Sequence, residues 1–236
     1  MIGIIGAMEE EIARIKPYLK EVQSETLAGM LYHKGMLYDK EVVLVHCGIG
    51  KVNAALCTQI IISVYKADAI INTGIAGGLA NYINIGDIVI SNDAVQHDVD
   101  ATGFGYKPGQ IPRMDTLAFE ASTYLVELAY KCCKNVNPDI SAYIGRIATG
   151  DIFVSDFEIK KNISDEFNAL CAEMEGGAIA QVSYLNKVPF VIIRAVSDKA
   201  DASASMDYSE FEAGAITHCS RLTIEVVKKL DIKNLL

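Results

Sequence analysis

The 236 residues are 51% apolar and 22% charged, the proportions of a packed globular protein rather than a disordered one. A net charge of −9 argues against a nucleic-acid backbone or an anionic membrane surface as partner. No apolar run approaches the ~20 residues that a membrane-spanning helix needs, and no composition shift marks a linker, so a single domain over residues 1–236 is expected.

The chain opens on "IGIIGA", Ile2 to Ala7, a buried-strand pattern with no basic leader before it, which gives the expectation of a cytosolic protein. Glu9 to Leu19 reads as a helix, with Ile12, Ile15 and Leu19 on one face and Pro17 near its end. The runs on either side of Asp39-Lys40 suggest a hairpin. "GIGKVNAALCTQIIISVY" opens on glycines and continues as helix. "DAIINTGIAGG" and "GDIVISNDAVQ" read as buried strands. Asp115 to Lys134 has helical spacing, "SAYIGRIATGDIFV" reads as strand, and Phe157 to Phe167 as helix. "ALCAEME" reads as a strand handing over to a helix at Glu175–Tyr184, and "VPFVIIRAVSD" is the most strand-like run. The last helix is expected near Asp207, where Asp207-x-x-Glu210 has the form of a capping box, with Phe211, Ala215, Leu222, Val226 and Leu230 on its buried face.

Apolar strands alternating with amphipathic helices point to a three-layer α/β/α fold around a mixed, largely parallel sheet. In such sheets ligands bind beyond the strand carboxyl ends. Those ends hold this chain's unusual residues: Gly6 to Glu11, Gly48 to Lys51, Gly74 to Gly78, Glu173 to Gly177 and Arg194 to Asp198.

The glycine turns do not fit a nucleotide cofactor. A P-loop ending in "GIGK" needs glycine at 45 and a hydroxyl at 52, where the chain has Val45 and Val52. "GIAGGL" has Ala76 and Leu79 where the dinucleotide fingerprint needs glycine. ATP and NAD are therefore excluded, and no cofactor is expected. The six cysteines show no metal-ligand spacing and read as reduced core side chains. His97-Asp98-Val99-Asp100 reads as a polar loop rather than a metal site.

The acids remain. Glu9 and Glu10 suit a helix first turn, where the helix dipole favours negative charge. Glu11 points either to solvent or back toward the cleft. Asp198 reads as a turn or cap residue, and Glu175 as a cap, unless both serve a site. Burying an unpaired carboxylate costs several kcal/mol, on the order set by desolvation, so acids in "CAEMEGGAIAQV" need partners or work to do. Three acids at three strand ends suggest a site that stabilises positive charge and moves protons.

"GIIGAMEEE", "GIGKVNAA", "NTGIAGGL", "GDIFV", "AEMEGGAIAQV" and "VPFVIIRAVSDKAD" resemble, in order and over nearly the whole chain, the bacterial 5′-methylthioadenosine/S-adenosylhomocysteine nucleosidase family. That family belongs to the purine nucleoside phosphorylase superfamily. The resemblance implies a homodimer that hydrolyses the N-glycosidic bond of adenine thionucleosides, and of 5′-deoxyadenosine, in methionine salvage. It implies that Glu11 activates water, that Asp198 protonates the departing adenine, and that Glu175 binds the ribose hydroxyls. It gives Phe153 and Val154 to the adenine site, Met174 to the ribose, and Met8 and Ile49 to the sugar and thioether tail. Gly77 allows close backbone approach, and Arg194 and Ser197 support the water and the acid. The long segment His97 to Arg113 would carry Phe104 and Pro112 to the neighbouring subunit's tail pocket. Ile75 and Tyr208 depart from frequent residues of the family near the water and over the site.

Three rivals stand beside this reading. A phosphorylase needs arginine or a bare glycine nest for phosphate, where this chain places "MEEE". A futalosine-type nucleosidase would share Asp198. A nucleoside sensor without turnover would have no use for the acid pair Glu11 and Asp198.

Overall fold

In a computed structural model that describes residues 1–235, the chain forms ten strands and six helices. The strands are β1 (Ile2–Gly6), β2 (Leu19–Leu27), β3 (Met30–Leu37), β4 (Lys40–His46), β5 (Ala69–Gly78), β6 (Ile88–Gln96), β7 (Phe119–Glu120), β8 (Ala142–Thr149), β9 (Cys171–Glu173) and β10 (Phe190–Asp198). The helices are α1 (Glu9–Ala13), α2 (Lys51–Ser63), α3 (Thr123–Val136), α4 (Phe157–Phe167), α5 (Gly176–Asn186) and α6 (Ala204–Lys229).

The sheet is mixed. Among the described residues five pairings are parallel (β1–β4, β1–β5, β5–β10, β6–β8, β8–β9) and five antiparallel (β2–β3, β3–β4, β5–β9, β6–β7, β6–β10). Because β5 pairs with both β9 and β10, the strands β5–β10–β6–β8–β9 close into a ring, and β1, β4, β3 and β2 extend from β5 as an open sheet. One apolar core lies against α3 and α6, and a second against the packed pair α2 and α5.

The branch at β5 shapes the molecule. Along one edge β1 pairs with Ala69 to Asn72 and ends at Gly6, while β9 pairs only with Gly77 and Gly78. Between these two partners the edge is open, and the N–H of Ile75 reaches a side chain instead of a strand.

Several expected boundaries move. The helix from Glu9 stops at Ala13, and a 3₁₀ turn at Lys16–Tyr18 holds Pro17, which removes a donor and keeps its predecessor out of a regular helix. Ile12, Ile15 and Leu19 are nonetheless buried. β2 was not legible: its interior faces water throughout, so the apolar alternation of a half-buried strand is missing. The helix expected from Asp115 starts at Thr123, because Phe119 and Glu120 pair with β6 first. The last helix starts at Ala204; Asp207 lies a turn inside it and accepts from Ser203 Oγ at 2.6 Å, so the expected capping box does not form. Phe211 leaves the expected buried face and is 39% exposed, whereas Ala215, Leu222, Val226 and Leu230 are buried.

That divergence is measurable. Leu222→Ala should destabilise the protein by about 2–5 kcal/mol, the usual cost of a truncated core leucine. Phe211→Ala should cost about 1 kcal/mol or less. Urea unfolding giving equal losses would show that both side chains share one buried face.

Candidate active site

A cavity of about 380 Å³ opens where β1, β5, β9 and β10 end. Its walls include Glu11, Glu173, Glu175 and Asp198, four carboxylates from distant parts of the chain, each buried. Of the other residues the sequence suggested, Met8, Ile49, Ile75, Gly77, Phe153, Met174, Ser197 and Tyr208 also line it. Val154 and Arg194 lie buried outside the lining. Phe104, 88% exposed, and Pro112 take no part in this subunit's cavity. Ala7, Ala76, Ala172 and Ser205 complete the wall; the first three are small residues whose only signal was adjacency to an acid or a glycine turn.

Each acid is held differently, and an ionised carboxylate has about four acceptor positions to fill. Glu11 sits in the first turn of α1 and folds back on its own entry: Oε2 accepts the N–H groups of Ala7 at 2.6 Å and Met8 at 3.1 Å. Its Oε1 accepts the free edge N–H of Ile75 at 3.1 Å. A glycine at 74 is needed here, since a Cβ would stand 2.5 Å from Glu11 Oε1 and 3.3 Å from an Arg194 nitrogen. One acceptor position remains.

Glu173 is saturated. It accepts from the Thr149 hydroxyl and from the Arg194 guanidinium, and Oε2 also takes the N–H groups of Glu175 at 3.1 Å and Gly176 at 2.7 Å. It is therefore part of the floor rather than a free ligand group. Arg194 also donates to Asn72 Oδ1 at 2.6 Å and to the Ile193 carbonyl at 3.2 Å, while its buried Nε has no hydrogen-bond partner among the described residues.

Glu175 occupies the N-cap position of α5 but does not cap it. Its Oε1 instead accepts the N–H of Gly50, at 2.8 Å, from the turn before α2. Its remaining acceptor positions face the cavity. Burial, with the charge of Glu173 added, pushes its pKa up to about 8, against the opposing pull of Arg194 and the Gly50 N–H.

Asp198 combines both roles the sequence left open. Oδ1 accepts the N–H of Ala200 at 2.8 Å, a local turn contact, and Oδ2 accepts from Ser197 Oγ at 2.8 Å while the carboxyl also walls the cavity. Burial raises its pKa, and burial likewise raises that of Glu11. Gly77 gives Asp198 its room, since a Cβ there would come within 2.8 Å of Oδ1. Over the mouth, Tyr208 meets Phe153 edge-on, with ring centroids 6.1 Å apart, and donates to Glu212 at 2.9 Å. Among the described residues, no lysine or arginine lines the cavity.

Residues 1–228 match the model of the phosphorylase superfamily. The chain belongs to the phosphorylase superfamily. The 5′-methylthioadenosine/S-adenosylhomocysteine nucleosidase of Staphylococcus carnosus (strain TM300) is 43% identical over 231 residues, which is 98% of this chain and 100% of that one. At this identity and coverage the chain is a member of the same nucleosidase family. The nucleosidase from Neisseria meningitidis, solved with methylthio-immucillin-A, superposes with a TM-score of 0.94 at 39% identity, covering 97% of this chain and 99% of that one. The superfamily fold also carries futalosine hydrolase of Helicobacter pylori strain 26695, at TM-score 0.92 and 33% identity over 97% of both chains.

The raised carboxyl of this nucleosidase-family site has a sign that can be checked. Glu175 keeps its proton in the folded state where the unfolded chain, at the ordinary value of 4.5, has lost it, so stability from this group declines as pH rises from there through about 8. Glu175→Gln should flatten that decline: between pH 5.5 and 8.5 its Tm should fall by several degrees less than that of wild type. Parallel Tm profiles would mean that Glu175 ionises normally.

Proposed function

We propose that the protein hydrolyses the N-glycosidic bond of 5′-methylthioadenosine and S-adenosylhomocysteine, and of 5′-deoxyadenosine, releasing adenine and the 5-thioribose or 5-deoxyribose product. That chemistry suits methionine salvage and the recycling of S-adenosylmethionine by-products. The observation that carries the reading is the meeting of Glu11, Glu175 and Asp198 on one cavity, with acceptor capacity graded one, three and two.

Glu11, with a single open position, suits one water. As that water's oxygen bonds to C1′ of the ribose, its proton passes to Glu11. The C1′–N9 bond breaks with both electrons going to the purine, and the Asp198 carboxyl gives its proton to the imidazole ring so that adenine leaves neutral. Burial supports this acid role by raising the Asp198 pKa toward the working range. Glu175, which keeps its proton in the ligand-free site, gives it up as the ribose hydroxyls bind; the carboxylate then has three open positions for those hydroxyls and offsets the positive charge that develops on the ring. Met8, Ile49 and Tyr208 suit the apolar tail, and Phe153 and Met174 the base and sugar faces.

Phosphorolysis fits poorly despite the superfamily's name. A phosphate entering beside Glu11 would meet carboxylates and no cationic lining residue, and Arg194 is already committed to Glu173. The full-length 43% identity to a methylthioadenosine nucleosidase favours adenine over the futalosine-type alternative.

The dimer completes the proposal. α2 and α5 expose Val52, Leu56, Tyr184 and Leu185, and Phe104 is nearly bare, an apolar surface that suits a second copy whose Phe104 and Pro112 would cover the tail end of this cavity. The six buried free thiols suit a reducing, cytoplasmic setting.

Adenine should be released from methylthioadenosine in phosphate-free buffer, and faster than hypoxanthine from the corresponding inosine analogue. Glu11→Gln and Asp198→Asn should each lower kcat by roughly 10²–10⁴-fold while the fold persists. A strict need for phosphate, or near-normal kcat in both variants, would overturn the mechanism. Sedimentation equilibrium should give twice the chain mass; a monomer that retains full activity would remove Phe104 and Pro112 from the site.

A further inference from the structure

Lys51, the first residue of α2, is absent from the cavity wall yet closes a hydrogen-bonded circuit behind it. Its Nζ donates to Asp98 Oδ1 at 2.6 Å. Asp98 Oδ2 accepts the N–H of Asp151 at 3.0 Å, and Asp151 Oδ1 in turn accepts the N–H of Lys51 at 2.8 Å. The preceding N–H, that of Gly50, is the one that reaches Glu175. Three segments far apart in sequence are thereby joined: the turn entering α2, the start of the loop from His97, and the turn after β8 that carries Phe153.

Charge makes the lysine indispensable to this circuit. The Lys51 ammonium is the cationic partner of the Asp98 carboxylate, whose other oxygen holds the backbone N–H of Asp151. The Lys51 and Asp98 side chains are 19% and 18% exposed, shielded enough for a charge-assisted bond to persist in salt. Gly50 has φ of 96°, and a Cβ on it would lie 3.1 Å from Asp151 Oδ1. The residue that presents its N–H to Glu175 is thus the most pliable kind, and its orientation depends on what anchors the next residue.

We propose that Lys51 is a positioning residue for the nucleosidase reaction: by clamping Asp98, and Asp151 through it, Lys51 holds the Gly50 N–H on Glu175 and fixes the Phe153 turn at one spacing from the sugar acid. The proposal rests on the function given above. Glu175 acts most strongly as the sugar becomes cationic, so releasing the clamp lowers kcat more than it raises KM.

The test compares Lys51→Met, Lys51→Arg, Asp98→Ala and the Lys51→Met/Asp98→Ala double variant in adenine release from methylthioadenosine. Amide exchange is read beside it by mass spectrometry on ligand-free protein, in peptides spanning residues 48–56. Lys51→Met should lower kcat roughly 10–100-fold, with KM within about threefold, while Tm stays within about 5 °C. Lys51→Arg should recover most of the loss, the double variant should be no slower than the slower single one, and exchange at the α2 entry should quicken in the Met variant alone of the two lysine changes. Unchanged kcat in Lys51→Met, losses that multiply in the double variant, or exchange that does not change would each overturn the clamp. Because exchange needs no turnover, a wild type that released no adenine yet showed the exchange pattern would count against the nucleosidase reading and not against the clamp.

Discussion

Arg194 and Glu173 pair with side chains only 2% exposed each, beneath a cavity walled by three more carboxylates. A buried pair of this kind contributes little net stability, because desolvating both charges offsets most of their attraction. Its importance is positional. Arg194 donates to Glu173, Asn72 and a carbonyl and makes no ion pair with Glu11 or Glu175, so it lends its field to both without neutralising either by contact. Burial therefore still holds the pKa values of Glu11 and Glu175 above the ordinary carboxylate range, and both keep open acceptor positions, the properties that the proposed water activation and sugar recognition require.

The fold supplies this arrangement through the branch of β5. A strand flanked along its full length would leave no N–H for Glu11 and no gap for a ligand. Here β1 stops and β9 begins further on, and Glu11, Gly74 and Ile75 occupy the interval. Closing β5, β10, β6, β8 and β9 into a ring then brings Asp198 and the Glu173–Glu175 turn to the same end. The glycines that looked like nucleotide loops serve close approach instead: Gly74 makes room for a carboxylate and a guanidinium side by side, and Gly77 makes room for Asp198.

Much of this was legible in the sequence because burial and acidity conflict locally. Glu175 stood out within an apolar stretch, Asp198 at the end of the most strand-like run, and Glu11 one turn into a helix that follows a strand. The helix Phe157–Phe167 and the hairpin at Asp39-Lys40 carried ordinary local signals and appear where those signals put them. What stayed hidden depends on contacts between distant residues. The β5 branch follows from the relative lengths of β1 and β9, which no local period encodes. β2 has a solvent-facing interior and so lacked alternation. Glu173 had no assigned role in the sequence, and the four donors that meet it come from Thr149, Glu175, Gly176 and Arg194. Gly50 bonds Glu175 across 125 residues and Lys51 bonds Asp98 across 47, separations at which spacing says nothing.

The most direct check is a crystal structure with a non-hydrolysable thioether analogue of adenosine bound. Oxygens of Glu175 should lie within hydrogen-bonding distance of the ribose hydroxyls, an Asp198 oxygen within that distance of the imidazole-ring position of the base, and Glu11 should hold a water facing C1′. An analogue seated so that any one of the three carboxylates lies beyond reach of it and of such a water would contradict the shared site on which the whole interpretation stands.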